Sequence, residues 1–284
     1  RGEIYSKEGF IVWKNSAGVI NETLIVHGFT SVPEGAVEIL SWGFLDDSDI
    51  KPNTTYRIKM PTTITKVPPV EPKYANSVRD MFKDCVNFND PNIVHWDMSR
   101  VTNTVAMFQG CSSFNQPIGN WDTSNVTDMG YMFYDCTSFN QPLDSWDVSN
   151  VTSMYAMFRG CNVFDQPLNN WEVGNVTNMA YMFRGCNVFD QPLNGWDMGN
   201  VTDMAYMFQD CTNFNQPLDS WDVSSVTNMR GMFYGCESFN QNLNSWDVSN
   251  VTDMRYMFYG CNVFDQPLND WDTSNVTDMR NMFH

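Results

Sequence analysis

The sequence of 284 residues has little of what most enzymes need. Histidine occurs only at His27, His95 and His284, in three distant places, so a nucleophile paired with a neighbouring base is not indicated. No Gly-rich phosphate loop and no Asp-x-Asp-x-Asp-Gly calcium loop occurs in the sequence. These gaps predict a protein that is not an enzyme and that has no cofactor.

Positive charge and long apolar runs are also scarce. The chain has 16 Lys and Arg against 33 Asp and Glu, which gives a formal net charge of −17 at pH 7. Such a chain repels phosphate backbones and anionic lipids, so neither nucleic-acid binding nor peripheral membrane binding is predicted. Direct membrane insertion of this fragment is not predicted either, because long apolar runs are missing. No stretch reaches the roughly 18 apolar residues of a membrane span, and residues 1–30 lack the pattern of a signal peptide. Since the first residue is Arg1, we expect a mature or excised fragment.

What dominates the sequence is a repeat of 25 residues. Its tryptophans are Trp96, Trp121, Trp146, Trp171, Trp196, Trp221, Trp246 and Trp271. Seven full units cover residues 96–270, a divergent unit precedes them from about Lys73, and a partial unit follows them. Residues 1–72 carry 9 acidic and 7 basic residues, whereas residues 73–284 carry 24 and 9. We predict a mostly β N-terminal cap or small subdomain over 1–72 and a repeat domain over 73–284.

Each unit contains two apolar periodicities. In the unit that begins at Trp146, the alternation of Trp146, Asp147 and Val148 predicts a short strand whose apolar residues face inward. From Val151 onward, apolar residues recur at spacings of three and four, which predicts a short helix. A strand and a helix within 25 residues cannot bury both apolar faces alone, so each unit must pack on its neighbours. The pattern therefore predicts an α/β solenoid.

The repeat also resembles that of a known family. Its consensus is Trp-Asp-Val-Ser-Asn-Val-Thr-Asp-Met-x-x-Met-Phe-x-x-Cys-x-x-Phe-Asn-Gln-Pro-Leu. This unit resembles the 25-residue repeat of BspA-like leucine-rich-repeat surface proteins of bacteria and of mycoplasma surface lipoproteins of unassigned function. The resemblance covers residues 73–284. It implies a right-handed, leucine-rich-repeat-like coil and a secreted or surface-exposed protein used for adhesion or cell contact.

A column of carboxylates follows the tryptophans, and we call it the acidic ladder. Its members are Asp97, Asp122, Asp147, Glu172, Asp197, Asp222, Asp247 and Asp272. Carboxylates stacked ~5 Å apart repel one another, so the ladder needs hydrogen-bond donors or cations. Two interpretations stay open. In one, the ladder binds basic partners or Ca²⁺ at low affinity; in the other, each carboxylate accepts hydrogen bonds from the turn that follows it.

Other columns are expected to be structural. Seven of the eight cysteines, Cys111 to Cys261, share one position in the units. A uniform ladder gives each thiol two equivalent neighbours, so we predict free, buried thiols and not disulfides. No Cys-x-x-Cys pair supports a zinc site. The glutamine column, which begins at Gln116, predicts side-chain bonds between units, and the Phe, Met and Trp columns predict the core.

The sequence contains several sequons for glycosylation. Six units carry Asn-Val-Thr, and Asn21 and Asn53 begin two more sequons outside the repeat. The repeat has its own need for Asn in a turn, Val in the core and Thr beside it. Asn21 and Asn53 are therefore the predicted candidates if the protein is glycosylated.

Two functional hypotheses follow from these patterns. The first is a non-enzymatic interaction or adhesion scaffold, extracellular or at a cell surface, whose acidic ladder contacts a protein or a glycan. The second is a structural spacer or fibre-forming segment that assembles with copies of itself and is stiffened by Ca²⁺. The near-identity of the units favours the second, because a specific site requires some units to differ.

Overall fold

The computed structural model describes residues 6–46, 48–50 and 54–283. All of its strands lie in the first 59 residues. They are β1 (Phe10–Asn15), β2 (Ile20–Leu24), β3 (Gly28–Ser31), β4 (Ala36–Ser41) and β5 (Tyr56–Lys59). One 3-10 helix, Pro91–His95, follows in the divergent unit. None of the described residues forms a helix long and apolar enough to cross a membrane.

The strands form two small sheets. The first is antiparallel in the order β2-β1-β4, and Trp13 of its central strand pairs with Asn21 on one side and Ile39 on the other. The Asn15 side chain closes the β1–β2 turn, since its Oδ1 accepts the amide hydrogens of Ala17 and Val19. The second sheet pairs β3 with β5 in parallel. These sheets contribute the first buried side chains of the core.

From Met60 onward the described chain contains no α-helix and no strand. The predicted fold class, a right-handed leucine-rich-repeat-like α/β solenoid with one short strand and one short helix per 25 residues, is therefore wrong. Each unit is instead a series of turns. Neighbouring units share an isolated parallel β-bridge, as at Ser153, which pairs with Asp128 before it and Asn178 after it.

The backbone hydrogen bonds explain why no helix forms. Between Met154 and Cys161, alternate amides bond in two different ways. The amides of Ala156 and Phe158 donate to carbonyls of the next unit, Ala180 and Met182, at 2.9 Å. The amides between them donate to the carbonyl three residues earlier, as Cys161 does to Phe158 at 2.9 Å. An α-helix would use every amide for a bond to the residue four positions back, so these bonds replace it.

Positive φ angles recur at the same places in the units and are also incompatible with a helix. Ala156 has φ of 53° and Gly160 has φ of 76°, whereas a helical residue has φ near −63°. Tyr181 and Tyr206 repeat the positive φ of Ala156 in the next two units, at 61° and 55°. Successive turns can therefore place apolar residues inward at spacings of three and four, which is the pattern that predicted a helix.

The predicted strand is absent for a related reason. Trp146 and Val148 are buried and Asp147 is exposed, as the alternation indicated. The backbone at this point nevertheless turns, because the amide of Trp146 donates to Leu143 and that of Val151 donates to Val148. Direction of the side chains was thus predicted correctly, and backbone conformation was not.

The core consists of side chains that repeat in register from unit to unit. Phe158 and Phe183 stack at 5.7 Å between ring centroids, and Trp171 and Trp196 stack at 6.4 Å. The indole of Trp196 donates to the Leu168 carbonyl at 2.9 Å, so its one polar atom is satisfied inside the core. The predicted core role of the Phe, Met and Trp columns is confirmed by their burial.

The cysteine and glutamine columns also tie units together. All eight cysteines are free, which confirms that prediction. The Cys186 thiol donates to the Phe158 carbonyl at 3.1 Å, and burial raises its pKa. The Gln191 amide donates to the Asp165 carboxylate of the preceding unit at 2.9 Å. The glutamines therefore bond between units as predicted, with Asn or Asp side chains as their partners.

The predicted boundary after residue 72 stays a prediction. Buried side chains continue across it, with Val67 on one side and Tyr74 on the other. The Tyr74 hydroxyl donates to the Trp42 carbonyl at 2.9 Å, and burial raises its pKa. Trp42 also packs edge-on against Trp96 at 5.7 Å.

Candidate functional site

The acidic ladder lies on the surface, and its carboxylates are engaged by their own turns. All eight side chains are exposed. The Asp147 carboxylate accepts the amide hydrogen of Ser149 at 3.0 Å and its hydroxyl at 2.6 Å, and Asp197 accepts the amide of Gly199 at 3.1 Å. The bonds from Ser149 lower the pKa of Asp147. The carboxylates thus accept hydrogen bonds from the turns that follow them, as one of the two interpretations of the ladder expected. Partner binding by the ladder stays a prediction.

Glu172 interrupts the regular pattern of the acidic ladder. Beside it, Gly174 and Gly195 leave a surface cavity of about 520 Å³, which Asp197 and Asn170 also line. No group of three or more His, Cys, Asp or Glu side chains in the described parts of the chain is arranged to hold a metal ion. The Ca²⁺ hypothesis therefore has no preformed site among them.

The sequons differ in how their asparagines are used. Asn21 lies on β2, and its amide donates to the Val19 carbonyl at 3.2 Å. Asn53 lies outside the described residues. Within the repeat, the Asn150 amide donates to the Ser124 carbonyl of the preceding unit at 2.7 Å. A glycan on such an asparagine would remove a bond between units, so these six sequons serve the stack.

A second surface column system was missed by the sequence analysis. The residues that follow the tryptophan of each unit by 9, 10 and 13 positions vary from unit to unit, and we call them positions 9, 10 and 13. All eight tyrosines and all five arginines between residues 101 and 284 occupy these three positions. We call this set the Tyr–Arg face, and it comprises Tyr131, Tyr134, Tyr155, Arg159, Tyr181, Arg184, Tyr206, Arg230, Tyr234, Arg255, Tyr256, Tyr259 and Arg280.

Tyrosines of the Tyr–Arg face form a row along successive units. The ring centroids are 5.1 Å apart between Tyr131 and Tyr155, 5.5 Å between Tyr155 and Tyr181, and 5.1 Å between Tyr181 and Tyr206. Burial, followed by the neighbouring Tyr131, raises the pKa of Tyr155 to about 12. The Tyr155 hydroxyl therefore stays protonated at neutral pH and can donate a hydrogen bond.

Three arginines of the Tyr–Arg face lie over tyrosine rings of the same face. The Arg159 guanidinium lies 4.9 Å from the Tyr134 centroid, and the Arg230 guanidinium lies 5.5 Å from Tyr206 and 6.0 Å from Tyr256. Arg184 lies over Tyr181 at 5.8 Å. Such cation–π contacts fix the guanidinium plane while leaving its N–H groups available to other acceptors.

The same three arginines lack close ion pairs within the described residues, although Asp135 interacts electrostatically with Arg159 and Asp253 with Arg230. Arg159, Arg184 and Arg230 form no ion pair with any carboxylate in the described chain. In contrast, Arg280 pairs with Asp278 at 2.7 Å. Unpaired arginines are unexpected in a chain with about twice as many acidic as basic residues.

Part of the Tyr–Arg face forms a groove of about 520 Å³. Its described lining consists of four tyrosines, two arginines and one glutamine, and it includes no carboxylate. These residues are Tyr181, Arg184, Tyr206, Gln209, Arg230, Tyr234 and Tyr256. Gly231, with φ of 57°, makes room for the groove wall, because a Cβ there would lie 2.2 Å from the Tyr206 ring.

The sequence did contain a signal for this surface. The core columns repeat nearly the same residue in every unit, whereas positions 9, 10 and 13 vary and collect every arginine and tyrosine of residues 101–284. A tally of charge and aromatic residues by column would have separated this surface from the acidic ladder.

A family is matched over the whole repeat region. Residues 76–196 and 177–284 match the family described as "Mycoplasma protein of unknown function, DUF285". The chain belongs to this family. The expected relation to mycoplasma repeat proteins is thus confirmed at this level, although DUF285 membership assigns no activity. No curated protein and no solved structure shows significant similarity to this DUF285 chain.

Proposed function

We propose that this DUF285 protein is a non-enzymatic interaction and adhesion scaffold, extracellular or at a cell surface, and that it is related to the BspA-like surface proteins. The observation that supports this most strongly is the Tyr–Arg face. Nearly invariant columns of Trp, Met, Phe and Cys build the core, while the variable positions 9, 10 and 13 hold every tyrosine and arginine of residues 101–284. These residue types are enriched at the energetic centres of protein interfaces.

The Tyr–Arg face is a better candidate contact surface than the acidic ladder. Carboxylates of the ladder already accept hydrogen bonds from their own turns, as Asp147 does from Ser149. Arg159, Arg184 and Arg230 form no close ion pair in the described chain, so a ligand can supply a directly bound carboxylate. We therefore place the partner, a protein or a glycan at a cell surface, on the Tyr–Arg face.

Repetition would increase the strength of such binding. The tyrosine row passes through four consecutive units from Tyr131 to Tyr206. A partner that carries several copies of one epitope can engage several units, and linked weak contacts raise the overall affinity without any new type of contact.

Binding of the labelled full chain to cultured animal cells and to matrix-coated wells tests the proposal. We expect saturable binding that excess unlabelled chain displaces. An acidic protein of similar size and charge serves as control for non-specific adsorption. Failure of the folded chain to show any saturable binding would sink the proposal.

A structural spacer remains the second candidate, because bonds between units are numerous and regular. The Thr152 amide donates to the Thr127 carbonyl at 2.9 Å, and the Asn150 amide donates to Ser124. A spacer or fibre predicts association of the chain with itself. Sedimentation velocity over a range of concentrations tests this, with or without Ca²⁺, and a chain that stays monomeric throughout would exclude fibre formation.

A further inference from the structure

We propose that the groove around Tyr206 and Arg230 binds an acidic glycan of low charge density, such as a polysaccharide with one carboxylate for every two sugars. This inference rests on the proposed binding function and names the ligand class of its surface. It places an anionic ligand on a chain whose net charge is −17. Four observations support it: the charge of the groove lining, the restricted position of Arg230, the chemistry of the other lining residues and the net charge of the chain.

The side chains that line the groove carry a charge opposite to that of the chain as a whole, although Asp210 and Asp253 lie beside them. Arg184 and Arg230 line it, and no described lining residue is acidic. Neither arginine forms a close ion pair with a carboxylate in the described chain, and the one carboxylate that interacts electrostatically with Arg230, that of Asp253, is itself paired with Arg255. A buried or half-buried guanidinium without an acceptor carries an uncompensated desolvation cost, which a bound carboxylate would offset.

Arg230 is held in place before any ligand arrives. Its guanidinium lies between the rings of Tyr206 and Tyr256, and its Nε is buried without a hydrogen-bond partner. The guanidinium plane can pair with a carboxylate through two parallel hydrogen bonds. Because the rings already restrict the side chain, little conformational entropy is lost on binding.

The rest of the lining suits a sugar. Sugar rings have apolar C–H faces and hydroxyl edges, and the groove offers both counterparts: tyrosine rings for the faces, and the hydroxyls of Tyr181 and Tyr234 for the edges. The Gln209 amide already donates to the Asp210 carboxylate at 3.1 Å, which leaves its second N–H and its carbonyl oxygen for a sugar hydroxyl. Its volume of about 520 Å³ is within the usual range of ~300–1,000 Å³ for small-molecule sites.

The overall charge selects among anions. A densely charged polymer would meet the repulsion of the surrounding carboxylates over the Debye length of about 8 Å at physiological salt. A glycan with widely spaced carboxylates can place one of them at Arg230 while its neutral sugars cross the acidic surroundings. This favours a sparsely charged glycan over nucleic acid or a highly sulfated polymer.

Calorimetric titration of the full chain with three probes tests the inference. The probes are a hyaluronan hexasaccharide, the neutral N-acetylchitohexaose of the same length, and an oligoglutamate with the same number of carboxylates as the first. We expect the hyaluronan hexasaccharide to bind at least tenfold more tightly than either other probe. We also expect Arg230→Gln and Arg184→Gln each to weaken it at least tenfold, which is about 1.4 kcal/mol.

A matched control separates groove effects from general charge effects. Asp222→Asn alters the acidic ladder in the unit that contains Arg230 and should leave hyaluronan binding the same or slightly tighter. Melting curves of every variant establish that it is folded. Unchanged affinity in both folded arginine variants, or equal binding of the neutral hexasaccharide, would overturn the inference.

Three further outcomes are also decisive. Tighter binding of the oligoglutamate would assign the groove to acidic peptides and overturn the glycan. If no probe binds while the labelled chain still binds cells, the ligand class is wrong and the proposed function stands. If the hyaluronan hexasaccharide binds through Arg230 and the chain binds no cell, the groove is correct and the adhesive function fails.

Discussion

The turn-built backbone makes a sharp prediction for two buried alanines. Ala156 and Ala180 are 0% and 1% exposed, and the Ala156 amide donates to the Ala180 carbonyl at 2.9 Å. Ala156 has φ of 53°, whereas Ala180 has no positive φ. Replacing each by glycine removes the same methyl group, so the two variants differ mainly in backbone strain.

The expected magnitudes follow from that difference. Either substitution loses ~0.8 kcal/mol of methyl burial and ~0.5–1 kcal/mol through the greater freedom of glycine in the unfolded chain. At Ala156 the change also relieves the left-handed strain of a residue with a Cβ, about 1–2 kcal/mol. We therefore expect Ala180→Gly to destabilise the protein by about 1.5 kcal/mol and Ala156→Gly to leave it nearly unchanged.

Urea denaturation followed by tryptophan fluorescence measures this difference. Midpoints of the two variants are comparable when their slopes with urea concentration agree. In a helical repeat, both alanines would have negative φ and both variants would lose the same stability. Equal destabilisation would therefore refute the positive φ at Ala156 and the turn structure inferred from it.

Three further outcomes are expected from named contacts. Phe183→Ala should lower the free energy of unfolding by about 3–5 kcal/mol, whereas Tyr181→Ala on the Tyr–Arg face should lower it by only about 1 kcal/mol. Urea titration measures both losses, and similar losses would contradict the separation of core from contact surface. The pKa of Asp147 is lower in the folded state than in the unfolded state. The Asp147 carboxylate therefore stabilises the fold above the unfolded-state pKa of ~3.9, and this stabilisation is lost as the pH falls through the folded-state pKa. Asp147→Asn should thus be less stable than the wild type at neutral pH, and the gap should close below about pH 4; a gap independent of pH would count against the Ser149 bonds. Burial raises the pKa of Cys261 to about 12, and this thiol is half-buried while Cys136 is fully buried, so native iodoacetamide labelling read by mass spectrometry should modify Cys261 first. Equally fast labelling of Cys136 would argue against its place in the core.

Inward and outward directions could be predicted from the sequence. Trp146 and Val148 are buried and Asp147 is exposed, as their alternation indicated. The helix prediction was wrong because spacings of three and four also arise in successive turns. Half of the amides there bond to the next unit, and a local pattern contains no information about those partners.

The candidate site was predictable in part. The acidic ladder was found by its regularity, but regularity is also what a stacking role produces. Arg230 and Tyr206 were missed because their positions vary between units, and a repeat consensus contains only the columns that do not vary. The packing of Arg230 between two rings depends on Tyr206 and Tyr256 in adjacent units, which no single unit shows.

One set of binding isotherms on cells tests most directly that the Tyr–Arg face is the contact surface. It compares the wild-type chain with two triple variants, one with Arg159, Arg184 and Arg230 changed to Gln, and one with Asp197, Asp222 and Asp247 changed to Asn. We expect the arginine variant to lose at least tenfold in affinity and the aspartate variant to bind like the wild type. Loss of binding in the folded aspartate variant, with the arginine variant unaffected, would return the function to the acidic ladder.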